Sequence, residues 1–386
     1  MYSSNPFKFV EYVTNSAVLP KCRTEPILYC DGENLYSFSV HHLNLMVFNL
    51  QTRLWRYMYE GRCLILRMNS LVGVAFHGRK LIILTFMESL LDRTSHMQTF
   101  DLDKETMVVT PLTGDIPLST KPFNFIIHDH YYYTVGAIRD HKEYSDVYRL
   151  NTTTFKWESV YKCTGLDRNE PKRRRGHTLV YDGSKIYIFR ETLNFSYVVG
   201  KAEAVDNFQK LPAFDLTTRK WTSVETYGDK KHKPRYPKNN RGAFALTQYT
   251  DPVSGDINII ISGGEMNYNV YSDVWRLNLN DKKWTSLARF GTVLPIPVDF
   301  HSMYATPEGQ LFVYGGFRDQ NTRCGEDCKS CSTAVHSAWV TVPKLEYLCW
   351  KALQHHHPDW AAKSRRQVAR LQLPWKFFES RLHKIL

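Results

Sequence analysis

Metal binding and nucleophilic catalysis are the first chemistries to test in this 386-residue chain. Cys324-x3-Cys328-x2-Cys331, with His336 five residues further on, would put four zinc ligands on one loop. That spacing is not a standard zinc finger, and a single loop closing around an ion by itself is unusual. The expectation is an unliganded loop, with no resident metal or other cofactor. His355-His356-His357 are adjacent, so their side chains cannot converge on one ion, and they read as a polar helix end. There is no Gly-x-Ser-x-Gly, no phosphate-cradling glycine loop and no Cys–His pair at a meaningful spacing, so no catalysis is expected. Charge remains. The Pro-bearing run Lys230-Lys231-His232-Lys233-Pro234-Arg235-Tyr236-Pro237-Lys238 reads as a solvated basic loop. Lysine clusters give salt-dependent, non-specific affinity for nucleic acid or acidic protein. No RNA-recognition or finger motif accompanies this one, so nucleic acid is not an expected partner.

The elements that carry these groups belong to a folded, strand-rich protein. Hydrophobic residues make up 43% and charged residues 23%, which excludes a disordered chain, and aromatics at 14% favour strands. Fifty Lys and Arg against 38 Asp and Glu leave a charge of +12, suited to acidic partners. No apolar stretch approaches the length of a membrane helix, and the start Met1-Tyr2-Ser3-Ser4-Asn5-Pro6 lacks the basic-then-apolar order of a secretory signal. The eight cysteines are mostly isolated, as in a reducing compartment. The expectations are therefore cytoplasm and/or nucleus, with no membrane partner.

One phrase recurs five times. An apolar residue is followed by Asn or Asp, and a Trp or Met stands seven places after the first: Phe48 to Trp55, Phe100 to Met107, Leu150 to Trp157, Phe214 to Trp221 and Leu277 to Trp284. Successive end residues lie 52, 50, 64 and 63 positions apart. Two copies extend to Ser145-Asp146-Val147-Tyr148-Arg149-Leu150-Asn151 and Ser272-Asp273-Val274-Trp275-Arg276-Leu277-Asn278. Before each phrase comes a turn and then a short apolar run: Leu35–Phe38, Leu81–Leu84, Tyr131–Tyr133, Ile186–Phe189 and Ile259–Ile261, with a sixth run at Leu311–Tyr314. Gly263-Gly264 and Gly315-Gly316 follow the last two runs and Gly136-Ala137 the third, whereas Ser39-Val40, Thr85-Phe86 and Arg190-Glu191 stand at the other three. Short apolar runs bounded by turns such as Asp31-Gly32 and Asp182-Gly183 are strands buried on both faces. Six such units, each a small antiparallel sheet, predict an all-β, six-bladed propeller.

The run, glycine pair and Asn/Asp-to-Trp phrase together resemble the kelch repeat, over roughly residues 20 to 342. A kelch ring must close, yet the unit ending His336-Ser337-Ala338-Trp339-Val340-Thr341-Val342 has no fourth strand after it. The expectation is that Phe7–Val13 at the chain start supplies the missing outer strand, giving a propeller over residues 1–342.

After Pro343 the period changes. Leu345, Cys349 and Leu353 stand at i, i+4 and i+8, a stripe along one helix that includes Leu348 beside it. Asp359–Leu371 reads as a second helix and Pro374–Leu382 as a third, so residues 343–386 form a helical segment. Leu-x-x-x-Cys-x-x-x-Leu resembles the elongin C-binding box of ubiquitin-ligase receptors. Leu373, Pro374, Phe377, Phe378 and Leu382 resemble a cullin-2 box. With the repeats, these segments resemble the kelch domain-containing protein 10 family, best over residues 240–386. That resemblance implies the substrate-recognition subunit of a cullin-2 RING ubiquitin ligase. Its partners would be elongin C and elongin B, cullin-2 with its RING subunit, and substrate proteins with free C-termini ending in Gly or Ala. The alternative is a kelch scaffold regulating a signalling enzyme such as a protein phosphatase in a stress-kinase pathway.

A free C-terminus is an anion, and arginine's planar fork holds both of its oxygens. By analogy with kelch pockets, binding residues come from the loops before each innermost strand and after each glycine pair. Those loops offer Arg23, Arg174, Arg175, Arg241 and Arg318, with Tyr268 and Ser302 as neutral donors.

Overall fold

The computed structural model describes residues 5–16, 18–20, 25–40, 42–60, 71–88, 93–117, 124–139, 142–171, 177–190, 208–239, 241–266, 269–317 and 331–356. They form β1 (Val10–Tyr12) and then a succession of antiparallel four-strand meanders. The first is β2 (Ile27–Cys30), β3 (Asn34–Ser39), β4 (Asn44–Asn49) and β5 (Trp55–Glu60). The second is β6 (Leu71–His77), β7 (Lys80–Glu88), β8 (Arg93–Asp101) and β9 (Thr106–Gly114). The third is β10 (Ile126–His128), β11 (Tyr131–Arg139), β12 (Lys142–Asn151) and β13 (Lys156–Tyr161). The fourth is β14 (His177–Tyr181), β15 (Lys185–Arg190), β16 (Lys210–Asp215) and β17 (Lys220–Glu225). The fifth has β18 (Ala245–Thr250), β19 (Ile257–Ser262), a small hairpin of β20 (Glu265–Met266) and β21 (Asn269–Val270), then β22 (Val274–Asn278) and β23 (Lys283–Ser286). The last has β24 (Asp299–Ala305), β25 (Gln310–Phe317) and β26 (Val335–Trp339), and helix α1 (Leu345–His356) follows it. The two further helices expected beyond α1 lie outside the described residues. So do Leu373, Pro374, Phe377, Phe378 and Leu382.

The recurring phrase has a local physical cause. In each copy the Asn or Asp side chain accepts hydrogen bonds from the amides two and three residues on: Asn49, Asp101, Asn151, Asp215 and Asn278 all do so. Four residues after each stands a non-glycine residue in the left-handed region: Arg53, Glu105, Phe155, Arg219 and Lys282. The side-chain cap fixes a tight turn between third and fourth strands. That turn sets the two apolar ends of the phrase directly opposite one another, as Phe48↔Trp55, Phe100↔Met107, Leu150↔Trp157, Phe214↔Trp221 and Leu277↔Trp284. Trp157, Trp221 and Trp284 are wholly buried, and truncating any one to alanine would cost on the order of 3–5 kcal/mol. A second cap joins first to second strands. Asp31 and Asp182 each take two amides and a tyrosine hydroxyl, Tyr36 and Tyr187 respectively. Burial alone would raise the Asp31 carboxyl, but Arg79 with the Asn34 and Glu33 amides holds it below its usual value.

The first strands of the meanders touch in cyclic order. Tyr29 of β2 stacks on Phe76 of β6 at 5.2 Å. Gly73 of β6 lies against Phe125, where a Cβ would come within 3.1 Å of the ring. Asn124, just before β10, exchanges two hydrogen bonds with the backbone of Leu179 in β14, and Gln248 of β18 does the same with Tyr181. The Phe300 amide of β24 donates to Ala243, just before β18, and the Phe300 carbonyl accepts from Glu25, just before β2. Between the second and third meanders a two-residue parallel contact, Thr113–Gly114 against Lys156–Trp157, makes one eight-stranded sheet. Gly114 (φ 91°) allows it, because a side chain there would overlap the Trp157 carbonyl.

The chain start completes the last sheet. β1 pairs antiparallel with β26, Val10↔Ser337 to Tyr12↔Val335, and the Trp339 amide donates to the Pro6 carbonyl. The last sheet thus reads β1-β26-β25-β24. Deleting residues 1–14 is expected to lower the melting temperature by several degrees, about what a loss of 1–2 kcal/mol produces. A calorimetric scan with an unchanged transition would show that this pairing contributes nothing.

Candidate functional site

Alternation of strand direction puts the connections from second to third strand and from fourth strand to the next sheet at one end of the molecule, here called the rim. The Asp and Asn caps stand at the other end. Arg23, Arg174, Arg175, Tyr268 and Arg318 lie outside the described residues. Of the expected binding residues, Arg241 and Ser302 are described.

Arg241 corrects its expectation. Its side chain is wholly buried. Nη1 meets Oδ1 of Asp273 at 2.6 Å, Nη2 meets Oδ2 at 2.7 Å, and Nη1 also donates to the Gly263 carbonyl at 3.0 Å. The guanidinium lies 4.5 Å over the Tyr271 ring, and the Trp275 indole N–H donates to the same carboxylate at 2.7 Å. A fork already engaged by a carboxylate from within the chain is not an open receptor for a foreign one. Arg241 instead fastens the segment entering β18 to the end of β19 and the start of β22. Asp273, which the sequence reading passed over, belongs to the repeated Ser-Asp-Val phrase. Ser302 stands in the middle of β24, opposite Tyr314, and is half-buried.

The glycine pairs act where expected. A Cβ at Gly263 (φ 57°) would overlap the Val298 carbonyl, and one at Gly316 (φ 83°) the Asp299 carbonyl, so each pair admits close-packed neighbouring backbone. Where Thr85-Phe86 replaces the pair, β7 runs on unbroken to Glu88.

Buried polar groups offer one arrangement with the look of catalysis. Ser262 Oγ and His301 Nε2 are 2.7 Å apart. Both side chains are buried, the hydroxyl also contacts the Met303 sulfur, and His301 Nδ1 meets no partner among the described residues. With no orienting acceptor on Nδ1 among the described residues and both side chains buried, this pair is packed as part of the core. Of the four weighed metal ligands, Cys324 and Cys328 lie outside the described residues, Cys331 is half-buried, and His336 sits on β26 opposite Glu11 at 3.9 Å. No described group of His, Cys, Asp and Glu is arranged to hold a metal. Among described residues no helix is long and apolar enough to cross a membrane.

At the opposite end, α1 packs by one face. Tyr347 and Trp350 are buried, Tyr347 donates to Gln310 Oε1 at 3.3 Å, and its ring meets Trp339 edge-on at 5.3 Å. Leu345 is 74% exposed, Cys349 is exposed, and Leu348 and Leu353 are half-buried. The stripe of Leu345 and Cys349 therefore points away from the sheets.

Burial pushes the His301 imidazole from 6.5 down to about 3. The unfolded chain takes up this proton first as pH falls. The stability from neutral His301 is therefore complete above about pH 6.5 and is lost as pH drops toward 3. Urea unfolding is expected to weaken by up to about 1.4 kcal/mol per pH unit through this window, and His301→Gln should flatten that slope. An identical slope in the variant would remove His301 as the cause.

Residues 24–240 match the family described as KLHDC2/KLHL20/DRC7 Kelch-repeats domain. The chain is 31% identical over 276 residues to the Kelch domain-containing protein 10 homolog of Drosophila melanogaster, an alignment covering 69% of this chain and 42% of that protein. It is 27% identical over 244 residues to Kelch domain-containing protein 10 of Homo sapiens, covering 62% and 48% respectively. Host cell factor of Drosophila melanogaster aligns at 26% over 262 residues, 63% of this chain but 16% of that protein. The chain spans about half the length of the Kelch domain-containing protein 10 relatives it matches.

Proposed function

Because the chain belongs to the kelch domain-containing protein 10 branch of the kelch-repeat family, a family of protein-interaction modules, we propose that it is a non-catalytic substrate receptor of a cullin-2 RING ubiquitin ligase. In this reading its meanders are the six blades of a closed propeller, supported by first strands that touch in cyclic order. The rim takes the C-terminus of a target protein, and α1 docks elongin C, which brings elongin B. The observation that carries the reading is the split character of α1. Tyr347 and Trp350 bolt the helix to the last sheet, while Leu345 and Cys349 stand outward with a large apolar anchor and a small neighbour. An outward leucine and cysteine one turn apart, on a helix held by its other face, support helix-in-groove recognition.

Two consequences follow for the rim. The carboxylate ligand is Arg174 or Arg318 rather than Arg241, whose fork is occupied by Asp273. Target entry and ligase docking also fall at opposite ends of the ring. Gln310 and Trp339, which hold α1, are the ends of β25 and β26 away from the rim.

Affinity purification tests the ligase half: elongins B and C are expected to co-purify and to be lost on Leu345→Ser with Cys349→Ser. Recovery of a protein phosphatase with no elongin would replace this reading by that of a signalling scaffold. Peptide binding tests the other half. Amidating the last residue of a bound peptide, or substituting Arg174→Ala, should weaken binding by about ten-fold or more, the worth of a charge-assisted pair. Undiminished binding of the amidated peptide would refute carboxylate capture.

A further inference from the structure

The connection from the fourth to the fifth sheet, residues 228–239, is a fixed ledge rather than a loose loop. Just ahead of it, Tyr227 is tied to the start of β23 through the Lys282 carbonyl and the Trp284 amide. Asp229, 2% exposed, takes the Lys231 amide at 2.8 Å and the Ser286 amide at 3.0 Å, and lies 3.9 Å from Arg289. Burial would raise its carboxyl, but those amides and Arg289 together hold it below the ordinary range, so it stays charged. The Asp229 amide donates to Arg235, the Tyr236 hydroxyl donates to the Thr226 carbonyl, and His232 sits edge-on to Trp275 at 5.3 Å. A side chain on Gly228 would overlap the Tyr236 ring and Arg235.

This clamp holds Lys230, Lys231, Lys233, Arg235 and Lys238 in solvent. No acidic side chain among the described residues pairs with any of them; the single carboxylate of the ledge, Asp229, is turned inward. Fixed like charges repel one another, and an anion laid along them relieves that repulsion. The ledge runs from the outer strand of the fifth sheet to the rim: Lys238 lies 5.7 Å over the ring of Tyr271, whose ring also carries Arg241.

We infer that this ledge binds an acidic stretch of polypeptide. Resting on the receptor reading of the rim, that stretch belongs to the target protein, upstream of its last residues. Single-stranded nucleic acid fits less well, because it needs open aromatic faces for its bases. Of the described aromatics here only Tyr227 is open: Tyr271 is covered by Lys238 and Arg241, Trp275 is met by His232, and Tyr236 is half-buried.

The test uses fluorescent peptides of about twelve residues with one shared C-terminal segment, preceded either by glutamates or by glutamines at the same places, each with a free and an amidated end. Binding to the full chain is read by anisotropy. The acidic peptide should bind about ten-fold tighter than its glutamine twin, and the advantage should collapse as salt rises from about 50 to about 200 mM. The variant Lys230→Glu, Lys231→Glu, Lys233→Glu should lose the advantage while binding the glutamine peptide and melting as before. Equal binding of the twins, or an advantage surviving in the variant, overturns the ledge. Tighter binding of a single-stranded oligonucleotide of similar length, lost in the variant, overturns it too. The two readings separate in the amidated series. An acidic advantage there, with no penalty for amidation, upholds the ledge and refutes carboxylate capture; a penalty without any acidic advantage does the reverse.

Discussion

The pairing of β1 with β26 is the contact on which the rest of the architecture depends. Without it the last sheet would end in an open edge, and the contact of β24 with β2 would rest on one backbone bond, Glu25 to Phe300, and on side-chain packing. Because β1 fills the fourth position, the chain after Val340 leaves the ladder and enters α1. One pairing therefore both completes the last sheet and leaves α1 outside the ladder, as the ligase reading requires.

How far the fold could be read from sequence followed the range of each interaction. The Asn/Asp cap reaches two and three residues, and the apolar pair it creates spans seven, so both leave a periodic trace. The apolar runs read as strands buried on both faces are so: Leu81, Ile82, Ile83 and Leu84 are all at most 3% exposed. The closing strand was legible for a different reason, a count of strands that left the last sheet one short. What the sequence could not disclose was pairing across long separations. Asp273 stands 32 residues from Arg241, and nothing in either neighbourhood marks them as partners, so an arginine at a rim position reads as a receptor when it is a brace. The parallel contact of β9 with β13 depends on how two already folded sheets meet, which no local pattern records.

Caps also give the molecule its polarity. Asp31, Asp101, Asp182, Asp215 and Asp251 sit at one end because tight turns there need a short side chain that accepts amide hydrogens. Several are further engaged: Arg79 bridges Asp31 at 2.7 Å and Asp103 at 2.6 Å, and Lys185 lies 3.9 Å from Asp215. Carboxylates drawn to that end leave the chain's excess of 50 cationic over 38 anionic residues to be expressed elsewhere. The ledge of residues 228–239 is one such place, and its single acid is buried as a clamp.

In the receptor reading proposed above, a braced Arg241 and an exposed stripe on α1 become two requirements of one task. A receptor that presents a target to a distant enzyme loses orientation through every soft joint between them. Here the joints are stiff: Arg241 locks the segment before β18 to its own sheet through two short charged bonds, and Tyr347 locks α1 to Gln310 and Trp339. Each lock uses groups that would otherwise be free to bind something, the guanidinium at the rim and two aromatics on the helix. Among the described residues, a leucine and a cysteine on one end and a row of lysines beside the other stand exposed.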